Sequence, residues 1–219
     1  MELTEMKKEL NSYLDHIRLA NDRFIALQSI YDSISKYNTE INYAYGFFTV
    51  SIYAIADSCL SELVKLYCGS GDEKTLRKLI NIINANQHLF QKEITKNYID
   101  GIDDKIAFTE TESVDIQAEL KKAEDGLEGF SKIISNLTNR RNQYLAHNDP
   151  KYFYSFDGLT MDFPISLDDL SKLIQFAGNF CNSMQGLLDG EIVAYKTIGS
   201  DDLPNLFERL REMSSSETI

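Results

Sequence analysis

The sequence predicts an all-α protein, and three observations carry that expectation. Only three prolines occur in 219 residues, and Pro150, Pro164 and Pro204 all lie in the last third. The preceding chain is therefore free to run as long helices. Ile116, Leu120, Ala123, Leu127, Phe130, Ile134 and Leu137 step alternately by four and three. Such a heptad-like stripe marks a helix that packs lengthwise on other helices. No internal repeat or low-complexity linker divides the chain, so a single antiparallel helical bundle over residues 1–213 is expected, with a disordered tail at 214–219.

Each element has its own signal. Residues 2–37 place Leu10, Leu14, Ile17, Phe24, Leu27, Ile30 and Ile34 at helical spacing, with a break or cap at Asn38 and Thr39. A second helix is expected from about 40 to 67, stopped by Gly69, Ser70 and Gly71. A short helix over 74–85 carries Leu76, Leu79, Ile80 and Ile83 on one side, and another is expected over 87–98. Residues 100–111 read as an acidic loop. The heptad helix follows, weakened locally by Gly126 and Gly129, and must end before Pro150. Residues 152–161 are rich in aromatic residues around Gly158, suggesting a small hairpin or irregular loop. Ser166, Leu167, Asp168 and Asp169 cap a helix reaching roughly 195, and a last short helix is expected over 202–213.

Composition bounds the function. Hydrophobic residues make up 43% and charged residues 26%, values of an ordinary globular chain that exclude a largely disordered or fibrous one. Acidic residues number 34 against 22 basic ones, a net charge of −12. That balance argues against a broad, non-specific coat of nucleic acid, while leaving room for a local site of opposite sign. Residues 1–10 lack the basic stretch and apolar run of a signal peptide, so a cytoplasmic location is expected. The cysteines, Cys59, Cys68 and Cys181, are odd in number and form no CxxC pair. A disulfide framework or cysteine zinc site is not expected, and Cys59 and Cys181 read as inert core thiols. Residues 41–61 contain one charge, Asp57, but also Gly46, three tyrosines and several hydroxyl or amide side chains. This reads as a core helix buried on most sides rather than a membrane span, and no membrane partner is expected.

The candidate site lies at the end of the heptad helix. Histidine is scarce: His16, His88 and His147. His147 closes the run Arg140-Arg141-Asn142-Gln143-Tyr144-Leu145-Ala146-His147-Asn148-Asp149-Pro150. Arg141 falls four residues after Leu137 and so continues the apolar stripe, where a guanidinium must be paired or must face a ligand. Residues 131–151 carry a net charge of +3 and residues 74–96 a net charge of +4 within the acidic chain. Asp57 in turn needs a partner if buried, and Arg141 or Arg140 is the expected one. His16 and His88 read as ordinary surface or boundary residues.

Arg141-Asn142-x4-His147 resembles the signature of the HEPN superfamily (higher eukaryotes and prokaryotes nucleotide-binding). There an arginine, often followed by a polar residue, precedes a histidine with four to six residues between them; here five lie between. RRNQYLAHND, the helix FFTVSIYAIADSCLSELVKLY and the following KTLRKLI are most similar to HEPN proteins of the abortive-infection type, over about residues 10–212. The resemblance implies a HEPN-type bundle with additional short helices. It also implies a metal-independent endoribonuclease without cofactor, acting as a toxin or phage-defence effector, with a composite active site in a homodimer.

Arg141, His147 and Asn142 would be catalytic. Arg140, Asp57, Asn148 and Tyr144 would support them or bind phosphate. The acidic surface favours a narrow RNA target such as a tRNA loop, or a strict requirement for activation, as when an antitoxin partner holds the protein silent. Where some HEPN toxins carry a tyrosine that is nucleotidylated, this chain has Asp149, which speaks against that mode of control.

Other readings stay open. Arg141 can belong to a buried ion pair and His147 to a helix C-terminus, and the fold can be a non-catalytic interaction module. The tyrosines Tyr144, Tyr152 and Tyr154 suit packing as well as base stacking. Phosphate-loop, dinucleotide, zinc-protease and nucleophile-elbow motifs do not occur.

Overall fold

The computed structural model describes residues 1–69, 73–91, 93–100, 105–145, 156–189 and 201–216. The fold class is all-α, as expected, with one short hairpin added. The helices are α1 (Leu3–Lys36), α2 (Asn38–Asn42), α3 (Tyr45–Tyr67), α4 (Leu76–Ala85), α5 (Ile116–Gly129), α6 (Ser131–Arg140), α7 (Phe156–Asp162), α8 (Leu167–Asp189) and α9 (Asp202–Ser216). Strands β1 (Glu93–Asp100) and β2 (Lys105–Ser113) pair antiparallel, with Glu93 opposite Ser113 and an irregularity between Tyr98 and Ile99. The residues group into two compact units, Met1–Ile17 with Leu63–Ala194, and Arg18–Glu62 with Tyr195–Ile219.

In the first unit the core is built from helix faces that the apolar spacing marks. α4 buries Leu76, Leu79, Ile80 and Ile83, and its start is fixed by Thr75, whose hydroxyl accepts from the Lys78 amide at 3.3 Å. α5 buries Ile116, Leu120, Ala123 and Leu127, with Asp115 accepting from the Gln117 amide at 2.9 Å. α8 opens with a reciprocal cap: the Ser166 hydroxyl accepts from the Asp169 amide, while the Asp169 carboxylate accepts from the Ser166 amide. Its buried face includes Leu173, Ala177, Cys181 and Met184. The buried Tyr67 hydroxyl donates to the Leu173 carbonyl at 2.6 Å, tying the end of α3 to α8.

The predicted heptad helix is interrupted once. Phe130 breaks it between α5 and α6, and its ring meets Phe176 edge-on with centroids 5.3 Å apart. The same packing explains Gly126: a Cβ there would come within 2.3 Å of the Phe176 ring. Gly129 has open space where its Cβ would be, so its absence of a side chain serves no such contact.

The second unit is smaller. Tyr37, Ile41 and Phe207 form its buried apolar cluster, with Phe48 and Leu203 packed against it. Tyr37 and Phe207 stack with centroids 5.0 Å apart. Ion pairs fasten α9 beside this cluster. Arg211 holds Glu40 at 2.8 Å, and Glu208 accepts from Lys36 at 2.8 Å and from the Tyr37 hydroxyl at 2.5 Å. A separate pair joins Arg23 to the buried Glu62 at 2.7 Å.

Several expectations are corrected. Residues 87–98 form a single 3₁₀ turn at Gln87–Leu89 and then β1 rather than a helix, and the expected loop at 100–111 contains β2. The expected hairpin or loop at 152–161 contains helix α7, and residues 152–155 lie outside the described residues. The break after α1 falls at Tyr37, and Asn38–Asn42 is itself a short helix. α9 extends to Ser216, into the expected tail, and residues 217–219 lie outside the described residues. α8 is described to Asp189, and residues 190–195, over which it was expected to continue, lie outside the described residues.

The largest correction concerns α3. Among the described residues it is the helix long and apolar enough to cross a membrane, yet only 17% of that apolar window is buried. Tyr45, Phe47, Val50 and Tyr53 are between 57% and 68% exposed. Burial on most sides holds only for the second half, around Cys59, Leu60, Leu63 and Leu66. The first half displays these side chains at the surface, while Phe48 packs against Phe207.

Candidate functional site

The motif begins where α6 ends. Arg141–Leu145 form a π-helical turn directly after Arg140. A π turn takes up one extra residue and is found often at functional sites. One turn earlier, the Thr138 hydroxyl donates back to the Ile134 carbonyl at 2.8 Å, a bond that loosens and bends helix geometry.

This winding sends the two arginines to different places. Arg140 donates from Nε to the Phe163 carbonyl at 2.7 Å, pinning the segment between α7 and α8. The buried Asn136 supports the same segment by donating to the Pro164 carbonyl at 2.8 Å. Arg140 thus has a structural contact. Arg141 donates from Nη1 to the Cys68 carbonyl and from Nε to the Asn142 side chain, both at 3.0 Å. The Glu73 carboxylate lies 3.8 Å from the same guanidinium. Arg141 keeps 28% of its side-chain surface exposed, so it is held on one side and open on the other.

That open side lines a cavity of about 390 Å³ in the first unit. Tyr13, His16, Lys65, Cys68 and Glu73 are among its walls, together with Arg141. The residues come from α1, from α3 and its C-terminal end, and from the motif turn. The Tyr13 hydroxyl donates to the Thr75 carbonyl at 3.0 Å, and burial raises its pKa, so the phenol stays neutral. Burial also pushes the Cys68 thiol up, against the smaller opposing effects of Thr138 and Arg141. Cys68 is therefore a thiol and a backbone acceptor at neutral pH rather than a thiolate nucleophile. Lys74, also in the wall, pairs with Glu9 at 2.5 Å.

The expected site residues are described in part. Arg141 and Asn142 are brought together. Tyr144 lies on the π turn by its backbone. His147 and Asn148 lie outside the described residues. Asp57 sits on α3 in the second unit, half-buried, with its backbone carbonyl accepting from Ser61. The carboxylate beside Arg141 is that of Glu73, which no local spacing marks. His16 is half-buried, at the boundary as expected, and lines the same cavity as Arg141. Among the described residues no cluster of histidine, cysteine and carboxylate suited to a metal occurs.

The all-α architecture is consistent with the HEPN class of abortive-infection proteins, and the comparison with known families shows that membership. Within that class a family model described as AbiU2 matches residues 4–209, nearly the whole chain, and the protein belongs to this HEPN family. No curated protein and no solved structure matches it significantly.

Proposed function

We propose that the protein is a metal-independent endoribonuclease acting as a toxin or phage-defence effector. The observation that carries this reading is the placement of the motif arginine: Arg141 is braced by a backbone carbonyl and opens onto a cavity with further basic residues. Family membership supports it, since the HEPN superfamily includes ribonucleases.

RNA supplies its own nucleophile. The 2′-oxygen forms a bond to phosphorus as the bond to the 5′-oxygen breaks. One group removes the 2′-hydroxyl proton and another protonates the leaving oxygen. Histidine suits either task near neutral pH, and we assign His147 to this proton transfer. Arg141 stabilises the charge on the crowded phosphate, to which a guanidinium binds as a fork. Asn142, fixed by its bond to Arg141, holds the guanidinium in orientation or contacts a phosphate oxygen.

Two protons must move, and a two-fold pair of chains would bring two copies of His147 to one cleft. The exposed Tyr45, Phe47, Val50 and Tyr53 support a dimer, because a patch of this aromatic kind is characteristic of protein contacts. The acidic surface favours a narrow RNA target or release from an antitoxin partner.

The contacts from Cys68 and Glu73 to Arg141 favour a second reading, a non-catalytic interaction module in which the arginine is structural. One experiment separates the two. Wild type, Arg141→Ala and His147→Ala are expressed from a repressed promoter, and growth and RNA integrity are followed. The ribonuclease reading expects arrest and RNA cleavage with wild type alone, cleavage by the purified protein in EDTA, and a loss in each variant of about 10²-fold or more. Intact RNA with all three overturns it.

A further inference from the structure

We propose that a second cavity of the first unit, on the face of α6 that leads to the motif turn, binds a guanine base of the RNA, with Arg77 reading one edge of the ring and Glu128 the other. The inference rests on the ribonuclease reading and adds a base preference that the motif itself does not supply.

Three helices of the first unit meet at this space: Arg77 from α4, Leu127 and Glu128 from the end of α5, and Ile134, Thr138 and Asn139 from α6. Its volume, about 570 Å³, falls inside the range for small-molecule sites, roughly 300–1,000 Å³. That is more room than a bare phosphate fills. Two links place it beside the motif. Thr138 stands three residues before Arg141, a rise of about 4.5 Å along a helix. Cys68, whose carbonyl holds Arg141, donates its thiol to the Ile134 carbonyl at 4.0 Å. A base in this cavity would therefore belong to a nucleotide near the phosphate that Arg141 binds.

The wall carries one guanidinium and one carboxylate, so it does not select an anion. It selects a neutral ligand with acceptors on one edge and donors on another. Arg77 and Glu128 are both exposed, and among the described residues they form no ion pair with one another. Guanine suits the space between them. Its N7 and O6 acceptors match the guanidinium fork, and its N1–H and N2–H₂ donors match a carboxylate on the Watson–Crick edge. Adenine would turn an acceptor, N1, toward the carboxylate, and the pyrimidines have no N7. The buried Leu127 and the half-buried Ile134 give an apolar surface for the face of the ring. The Asn139 carboxamide, half-buried in the same wall, has a donor and an acceptor for the sugar.

The test uses the full chain and short uridine oligonucleotides, 2′-O-methylated throughout so that they cannot be cut. Each carries one guanosine, adenosine, inosine or 7-deazaguanosine, and binding is read by fluorescence anisotropy. Inosine lacks the N2 amino group and 7-deazaguanine lacks N7, so each probes one edge. Wild type should bind the guanosine probe about tenfold or more tighter than the adenosine probe, the scale of a bidentate base contact. Arg77→Ala should bind guanosine and 7-deazaguanosine probes alike, and Glu128→Ala should bind guanosine and inosine probes alike. Arg77→Lys keeps the charge without the fork and should lose most of the preference. Lys122→Ala, at an exposed position of α5, should keep it. Each readout is a ratio, so the general effect of charge on RNA affinity drops out.

Equal binding of guanosine and adenosine probes by wild type overturns the assignment, as does failure to bind either. So does an Arg77→Ala variant that weakens every probe equally and lowers the salt slope by about one, the behaviour of a phosphate contact. If wild type cuts RNA in those cases, the ribonuclease reading survives alone. If the preference and its loss appear as expected while wild type cuts nothing, the base pocket holds and the ribonuclease reading fails.

Discussion

The two halves of α3 are held in different ways. The second half buries Cys59, Leu60, Leu63 and Leu66 and delivers the Cys68 carbonyl to Arg141. The first half touches its unit mainly through Phe48, whose ring lies 5.6 Å from Phe207, and leaves Tyr45, Phe47, Val50 and Tyr53 in water. Beside this aromatic cluster the fastening is ionic: Glu40 with Arg211, and Glu208 with Lys36 and Tyr37. One continuous helix thus passes from polar fastening and surface display to apolar burial and site construction. Apolar sequence alone does not decide burial; the amount of partner surface does.

The contrast can be broken or sharpened by experiment. The largest effect is expected at the buried end. Leu63 is fully buried, and Leu63→Ala should cost about 2–5 kcal/mol through lost transfer energy and the cavity left behind, measured by urea denaturation. It should also reduce any Arg141-dependent activity, because the Cys68 carbonyl lies one turn beyond it. A cost below about 0.5 kcal/mol, the range of ordinary surface changes, would erase the distinction between the halves.

A smaller effect is expected from acid, and only at the ionic end. The Arg211 hydrogen bond holds Glu40 below its ordinary pKa, and Lys36 and Tyr37 do the same for Glu208. Both carboxylates therefore bind protons more readily when unfolded. Their contribution is present above the ordinary glutamate range and is lost as pH falls through their lowered values. Hydrogen exchange should rise around α2 and α9 on acidification before it rises in α8. Uniform loss of protection would show that the two fastenings are not independent.

The smallest change in stability is expected on the exposed face. Val50→Ser and Tyr53→Ser should alter folding stability by about 0.5 kcal/mol or less. Analytical ultracentrifugation should nonetheless show a shift from dimer to monomer. Unchanged mass in both variants would remove the support that this face gives to a homodimer.

Local signals in the sequence translated well. Gly69 stops α3 two residues after Tyr67, and Ser166 with Asp169 caps α8, because a breaker or a cap acts within a few residues. The hairpin was missed although its signal was present. Ile94, Thr95, Tyr98 and Ile99, then Ile106, Phe108 and Thr109, are strand-favouring residues. The helical character of the surrounding chain masks that local signal.

The site was legible where it is contiguous. Arg141 and Asn142 were found because they stand together, and the extra charge of the stripe predicted that the guanidinium would be engaged. Glu73 and His16 were not found as site residues, since their approach depends on how α1, α3 and the motif turn pack. α3 also carries a buried carboxylate, Glu62, paired with Arg23, one residue beyond the stretch in which Asp57 is the sole charge.

The π turn at Arg141–Leu145 has a consequence for how such a motif can vary. An α-helix advances about 100° per residue. Removing one residue from this turn and restoring ordinary winding would swing the departing chain by roughly that angle. The interval between arginine and histidine is therefore a bearing as much as a distance. A family that tolerates intervals of different length has to absorb each insertion in the same coil, tightening or widening it until the outgoing segment points the same way.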